Sequence, residues 1–198
     1  MMTQSSRGCL LLLVLGLAAV WPAIGSAGNP VAPMGALAHA ASALESATAG
    51  KVLEIRLANT AGAPAFEAAI LKDADVLYMR IQAPDEHVTQ IDVSDLPPWL
   101  VDFHLEDYGR TASKAKVPLD EAIVSAEARA LAPAVDAGIA KPIGGTNAVA
   151  AYFVQTAKGG RQQLLAVDAQ TGAFIANPDE LYAVHKPIDL ARRLASAE

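Results

Sequence analysis

Apolar and polar residues follow a helical spacing in one stretch of the first half of the chain and then alternate strictly. Leu37, Ala40, Ala41 and Leu44 recur at the three- and four-residue intervals of an amphipathic helix. Gly50 is expected to end this helix, as glycine commonly does. The residues after it change to a period of two, which is typical of strands with one buried face.

The alternating segments predict three strands and a shorter fourth one. In "KVLEIRLAN", the apolar residues Leu53, Ile55 and Leu57 are predicted to face a core, opposite the polar residues Glu54 and Arg56. The segments "AFEAAIL" and "VLYMRIQ" continue the pattern, and "HVTQIDV" is either a fourth strand or a hairpin return. Short polar turns separate them, so neighbouring strands are predicted to pair as antiparallel hairpins.

The second half of the chain has the same order of predicted elements. Pro118 opens a helix with Asp120 and Glu121 in its first turn, where the helix dipole favours anions. Extended segments are predicted at 135–143, 149–155 and 162–167, separated by glycine pairs.

Sliding the chain against itself by 86 residues, without gaps, places helix on helix and strand on strand. It pairs Ala36 with Ala122 and Phe66 with Tyr152. The predicted fold class is therefore α+β, with two repeats of a helix packed on a three- or four-stranded antiparallel β-meander. The sequence leaves open whether the two repeats form one continuous sheet.

The N-terminus has the pattern of a secretory signal peptide. Arg7 precedes a short apolar run, 10–20, and small residues follow as far as Ala27. A bilayer needs about 20 apolar residues, so cleavage near Ala27 is favoured over an uncleaved anchor. The protein is therefore predicted to be periplasmic or secreted, with no membrane contact after cleavage. The predicted organisation is a signal peptide at 1–27, a first repeat at 34–95, a connector at 96–116, a second repeat at 117–177 and a C-terminal tail helix within 178–198.

Composition excludes several classes of site and partner. The single cysteine, Cys9, lies in the predicted signal peptide, so the mature chain has no disulfide, thiolate metal site or cysteine nucleophile. The whole chain has 15 basic and 21 acidic side chains, a net charge of −6. This balance argues against nucleic acid and against an anionic membrane surface, since both bind clustered cations.

The stretch "LLAVDAQTGAFIAN" predicts a tight turn between two strands. Asp168 is placed to accept backbone N–H groups two residues further on, and Gly172 supplies a positive φ without steric strain. We interpret Asp168, Thr171 and Gly172 as a structural turn. The alternative, Asp168 as an acid or ligand, lacks a second carboxylate or a histidine nearby in the sequence.

The segment 117–177 resembles the PepSY domain family. The family's C-terminal signature, Val-Asp-x-x-Thr-Gly, is matched by Val167, Asp168, Thr171 and Gly172, and its preceding helix resembles 119–128. The first half departs from that signature, with Gln82 in place of the aspartate and Asp85-Glu86 in place of Thr-Gly. The resemblance implies a small exported module that binds or inhibits other proteins, including peptidases, or regulates sensors. It implies no catalytic residues.

The connector holds the remaining candidate side chains. Trp99, Phe103 and Tyr108 are the one concentration of aromatic residues, and they either anchor a protein partner or fill the seam between the repeats. In the same segment, Asp102, His104 and Glu106 would share one side of an extended chain, where they could hold a divalent metal. A solvated face is the alternative for these three.

No nucleophile motif, phosphate loop or histidine pair with metal-ligand spacing occurs in the sequence. The expectation is therefore a non-enzymatic protein without a cofactor, which binds, inhibits or regulates another envelope protein such as a peptidase or sensor. Its oligomeric state is not predicted. Two alternatives are a periplasmic metal or small-ligand sensor, and a hydrolase whose site assembles from residues distant in the sequence.

Overall fold

The structure, a computed structural model, describes residues 32–58, 64–73, 75–82, 86–91, 109–142, 150–176 and 182–183. The first half contains helix α1 and four strands. The second half contains helix α2 and four strands, preceded by a helical turn at 109–112. The elements are α1 (Ala36–Thr48), β1 (Lys51–Ala58), β2 (Ala65–Lys72), β3 (Asp75–Gln82), β4 (His87–Gln90), α2 (Leu119–Ala130), β5 (Ala134–Pro142), β6 (Ala151–Lys158), β7 (Arg161–Asp168) and β8 (Tyr182–Ala183).

One antiparallel sheet runs through both halves of this mixed α+β fold. The strand order is β4-β3-β2-β1-β5-β6-β7, and β8 pairs with β5 outside that path. The question left open by the sequence is thereby answered, because β1 pairs directly with β5 in the middle of the sheet. Both helices contribute buried side chains to one core against the sheet, among them Leu37, Leu44 and Ile123.

Strand β1 has buried side chains on both faces, so the prediction of a single buried face is wrong. Leu53 and Ile55 lie in the core as expected. Glu54, which was predicted to be on the exposed face, is only 2% exposed, and Arg56 is half-buried. The physical reason is position, since β1 has a strand on each side and lies at the centre of the sheet. A charged side chain there is tolerated when a partner of opposite charge accompanies it.

The end of α1 differs from the prediction in one detail. The left-handed residue is Ala49, with φ 55°, and in α2 the same role falls to Leu131, with φ 51°. Gly50 is instead required by a close approach of the backbone to β2. A Cβ at Gly50 would lie 2.6 Å from the Ile70 Cγ2 atom and 2.8 Å from the Leu71 carbonyl oxygen.

Similar features of the two halves have two different spacings. Each first strand has one bulge, at Leu53 in β1 and at Val135 in β5, which are 82 residues apart. By contrast, β2 and β6 begin 86 residues apart, at Ala65 and Ala151. The ungapped offset of 86 therefore fits β2 and β6, whereas the helix ends and the first strands are spaced by four residues fewer. Four residues are about one helical turn, which returns to the same face and leaves the apolar pattern unchanged.

Several predicted segments lie outside the described residues. They are the signal peptide, most of the connector (its part at 96–108) and most of the C-terminal tail. Within the described residues, no helix has the length and apolar character needed to cross a membrane.

Candidate functional site

The turn after β7 has closely spaced hydrogen bonds. Asp168 Oδ1 accepts the backbone N–H groups of Gln170 at 2.7 Å and Thr171 at 3.0 Å. The Asp168 carbonyl accepts the Gly172 N–H at 2.8 Å, and Gly172 has a φ of 75°. The Thr171 hydroxyl accepts the Ala173 N–H at 3.3 Å. Every polar group of Asp168, Thr171 and Gly172 named here is engaged within the turn, which is a structural role.

The same turn holds the segment that leads into α2. The Ala169 carbonyl accepts the backbone N–H groups of Lys116 and Val117 at 2.8 and 2.9 Å. The Gln170 side-chain amide donates to the Lys114 carbonyl. From the other side, the hydroxyl of the buried Tyr152 donates to the Val117 carbonyl at 2.9 Å. The turn therefore fixes the start of the second helix, a contact that the local sequence pattern did not predict.

Two glutamates, one near the end of each helix, make structural hydrogen bonds that the sequence pattern did not predict. Glu45 Oε1 accepts the Val52 N–H at 2.9 Å, and Glu127 Oε1 accepts the Ala134 N–H at 2.8 Å. Glu127 Oε2 also accepts the Gly35 N–H, at 2.7 Å, which joins it to the start of α1. The signal in the sequence was the repeated spacing of seven residues from a late-helix glutamate to the start of the next strand.

The electrostatics at the end of α1 reflect partial burial. Desolvation raises the pKa of Glu45, and the nearby Asp120 carboxylate adds to this, while the bond from Val52 opposes it. Desolvation also lowers the pKa of Lys51, whose Nζ donates to the Ala112 carbonyl at 2.6 Å. These groups connect α1, β1 and the helical turn at 109–112. The contacts described for Glu45 and Lys51 are structural, since both side chains bond to backbone groups.

A row of charged side chains crosses the face of the sheet that is opposite to the helices. Cross-strand register neighbours share a face, and the pairs Arg80–Glu67, Glu67–Arg56 and Arg56–Asp136 form one row of alternating charge. Arg80 Nη2 lies 2.6 Å from Glu67 Oε1, and Glu67 is 4% exposed. Arg56 Nη2 also lies 3.5 Å from Glu54 Oε1. The row pairs opposite charges and so fits a structural role in fixing strand register.

The candidate partner-binding residues Trp99, Phe103 and Tyr108 lie outside the described residues, and so do the candidate metal ligands Asp102, His104 and Glu106. Their roles therefore stay predictions. Among the residues that are described, no group of three or more histidine, cysteine or acidic side chains could hold a metal ion.

An open groove of about 550 Å³ runs between the outer surfaces of α1 and α2. His39 on its rim is exposed, and its Nε2 lies 2.7 Å from Glu86 Oε1. The groove is lined mainly by small side chains with Asp120 and Glu121 at one side. Exposed carboxylates on an open surface do not form a catalytic constellation, since no enclosed reacting position lies between them.

Comparisons with known proteins add little to this description. No protein-family profile matches the sequence, and no curated protein matches it. Among solved structures, a candidate lipoprotein from Clostridium difficile 630 is similar to this chain, with a TM-score of 0.37 and 12% sequence identity. The similarity covers 68% of this chain and 86% of that one.

Proposed function

We propose that this chain is an exported, non-enzymatic protein that binds another envelope protein, such as a peptidase or sensor, and inhibits or regulates it. The scaffold in this proposal is a pair of PepSY-like units that share one sheet. Export is supported by the N-terminal pattern around Arg7 and Ala27. The resemblance to the PepSY family at Val167, Asp168, Thr171 and Gly172 supports the class of function.

The observation that carries the two-unit organisation is a common offset of 82 residues. It relates Glu45 to Glu127. It also relates Val52 to Ala134, whose backbone N–H groups donate to these two glutamates. The same offset relates the left-handed helix ends and the two bulges. Three independent features at one spacing favour two versions of the same unit over coincidence.

The pairing at the centre of the sheet supports the same proposal. In two units related by a twofold axis, equivalent residues must face each other where the axis passes. Ile55 and Ala137, which are 82 residues apart, are register partners in the β1–β5 pair. The flanking pairs, Glu54 with Gly138 and Arg56 with Asp136, are also exchanged by that axis.

A sheet of this kind offers recognition through its strand edges. A partner segment that adds as a further strand gains backbone hydrogen bonds without any reactive group on the receiving strand. The outer strands here are β4 and β7. This mode of action requires a rigid sheet and polar edge groups, and it needs no cofactor.

Capture from the native envelope tests the proposed function. The full chain, with a C-terminal affinity tag, is expressed in its own host, cross-linked in the cells and purified beside an unrelated exported bait of similar size and charge. We expect one envelope protein to be enriched at least about tenfold over the control, and its purified activity to change on addition of the chain. Recovery of only abundant porins and chaperones, at the control level, would contradict the proposal.

A further inference from the structure

Within the described residues, the outer edge of β7 is paired along only half of its length. Backbone N–H and C=O groups of alternate residues point to the same side of a strand. The Asp168 N–H donates to the Ala173 carbonyl at 2.8 Å, and the Ala166 carbonyl accepts the Ile175 N–H at 2.9 Å. The outward-facing residues are therefore Gln162, Leu164, Ala166 and Asp168, of which the last two are bonded to the chain that returns after the turn.

The other half of this edge is open in the described part of the chain. Arg161, Gln162, Gln163 and Leu164 are all exposed, and Leu164 is 43% exposed. No hydrogen bond from a described residue reaches the outward backbone groups of Gln162 or Leu164. Tyr182 and Ala183 pair with β5, so β8 does not pair with this edge.

Two of the usual protections of an edge strand, proline and a bulge, are missing from β7. Exposed edges are commonly blunted by either of these or by charged side chains, of which this half of the edge has Arg161. The segment 150–176 contains no proline, and β6 and β7 pair without a register shift from Ala151–Asp168 to Lys158–Arg161. A regular strand with an exposed leucine and open backbone groups is suited to receive another strand.

The charge around this edge selects the chemistry of the partner. From Tyr152 to Val167 the sequence has the cations Lys158 and Arg161 and no aspartate or glutamate, in a chain that is acidic as a whole. Lys158 Nζ is held at this end of the sheet by a bond of 3.0 Å to the Leu131 carbonyl. Opposite charges on neighbouring strands stabilise their pairing, and like charges weaken it.

The two faces of the edge differ in polarity. Leu164 is the register partner of Gln155 and lies on the face opposite to the helices, whereas Arg161 lies on the helix side. A strand that pairs here would place alternate side chains beside these two residues. It would therefore present apolar residues on one face and carboxylates on the other.

We infer that the open edge Arg161–Leu164 binds an extended segment of a partner protein with alternating acidic and apolar residues, which adds to the sheet as an antiparallel strand next to β7. This inference rests on the proposed function and specifies where and how the partner is bound. Gln162 and Leu164 supply the backbone hydrogen bonds, Leu164 the apolar contact and Arg161 the charge preference.

Fluorescence anisotropy of the full chain with a labelled hexapeptide of alternating glutamate and valine tests the inference. We expect saturable binding with a Kd on the order of 0.1 mM. The matching lysine–valine peptide should bind at least about tenfold more weakly. So should a glutamate–valine peptide whose alternate amides are N-methylated, because it cannot complete the ladder.

Variants of the chain locate the binding to this edge. Leu164→Pro removes an outward N–H without removing a bond to β6, and it should weaken binding about tenfold. Leu164→Ala keeps that N–H and loses only the apolar contact, so it should weaken binding less than Leu164→Pro does. Arg161→Glu should reverse the preference, so that the lysine peptide binds better. Circular dichroism verifies folding, and if Leu164→Pro does not fold, the Arg161→Glu variant and the N-methylated peptide decide the question.

Three results would overturn the inference: no binding of the glutamate–valine peptide at about 1 mM, equal binding of the N-methylated peptide, or an unchanged preference in Arg161→Glu. The proposed function fails by a different result, which is the absence of an enriched partner from the envelope. A captured partner whose recovery is unaffected by Leu164→Pro and Arg161→Glu would overturn the edge and leave the proposed function intact.

Discussion

In each half of the sheet, a glutamate near the end of the helix accepts a backbone N–H of the strand that follows, yet the two glutamates have different surroundings. Glu45 is half-buried and accepts one backbone N–H, whereas Glu127 is 2% exposed and accepts two. The second bond of Glu127 comes from Gly35, which precedes the other helix. The same local motif therefore has a purely local role in the first half and a connecting role in the second.

This difference shows that a similar helix-to-strand contact can have a local role in one half and a connecting role in the other. A buried carboxylate must have its oxygens hydrogen-bonded, since an unpaired charge in a dry site is strongly unfavourable. Both Glu127 oxygens are occupied, each by a backbone donor from a different half of the chain. The hydrogen bond of Glu45 stays within its own half, and desolvation raises its pKa. Variants at the corresponding positions can test how differently the two halves are stabilised.

The largest effect is expected at the two glutamates. Glu127→Ala leaves the N–H groups of Ala134 and Gly35 without their acceptor, and it should lower the free energy of unfolding by about 3 kcal/mol. Glu45→Ala removes one half-buried bond and should lower it by about 1 kcal/mol. Urea unfolding followed by circular dichroism measures both values.

Equal losses in the two variants would contradict the connecting role of Glu127. The double variant Glu45→Ala/Glu127→Ala tests whether the two sites are independent. Because they share no hydrogen bond, their effects on the free energy of unfolding should add within about 0.5 kcal/mol.

The next effect concerns Gly50 and its counterpart 82 residues later, Ala132. Gly50→Ala forces a Cβ against Ile70 and the Leu71 carbonyl and should lower the free energy of unfolding by about 2 kcal/mol. Ala132 already carries a Cβ and is buried, so Ala132→Gly should lower it by only about 1 kcal/mol, mainly through chain entropy. Urea unfolding at one pH measures both. An unchanged free energy of unfolding in Gly50→Ala would show that the backbone at Gly50 does not approach β2 closely.

A smaller effect is expected at the turns that end β7 and β3. Asp168→Ala removes the acceptor for Gln170 and Thr171 and should lower the free energy of unfolding by about 1 kcal/mol. Gln82, 86 residues earlier, is exposed, and Gln82→Ala should change it by less than about 0.5 kcal/mol. Thermal unfolding of Asp168→Ala and Gln82→Ala, measured side by side, compares the two effects on stability. A loss at Gln82 as large as that at Asp168 would show that the first half keeps an equivalent turn.

The smallest effect at neutral pH is expected for the hydroxyl of Tyr78. Burial, with a contribution from Glu54, raises the pKa of Tyr78 from 10.0 to about 12. The folded state therefore prefers the neutral phenol, so stability is unaffected below pH 10 and falls as the pH rises from 10 through 12. Between pH 7 and pH 11 the wild type should lose about 1 kcal/mol more than Tyr78→Phe. Urea unfolding at the two pH values measures these losses. Equal decreases in the free energy of unfolding of the two proteins would contradict the prediction.

Particular residues show how much of the fold the sequence predicts. Leu37, Ala40, Ala41 and Leu44 lie in the core as their spacing indicates, and β2, β3, β6 and β7 occupy the segments that the alternation and the turn residues marked. Local patterns suffice there because they depend on spacings of two to four residues and on turn residues, although β2 is buried on both faces. For the helices an offset of 86 fits as well as one of 82, because a shift of about one turn preserves the apolar face of a helix.

The candidate site was less accessible from sequence. The turn at Asp168 is encoded by adjacent residues, so its hydrogen bonds follow from the local motif. Glu54 was assigned to an exposed face because alternation cannot report that a strand is central. The bond from Glu127 to Gly35 joins residues 92 positions apart, and no periodicity carries that information. The open half of β7 depends on where the chain returns after the turn.

The sequence by itself determined the two helices, most of the strands, their order and the antiparallel hairpins within each half, because these depend on spacings of two to four residues and on turn chemistry. Only the tertiary structure decided that β8 pairs with β5, that β1 pairs with β5, that Glu127 bridges the halves and that no other described strand pairs with the edge at Arg161–Leu164. Such choices depend on contacts between distant segments, which are set by the competition of whole surfaces for burial and not by any local pattern.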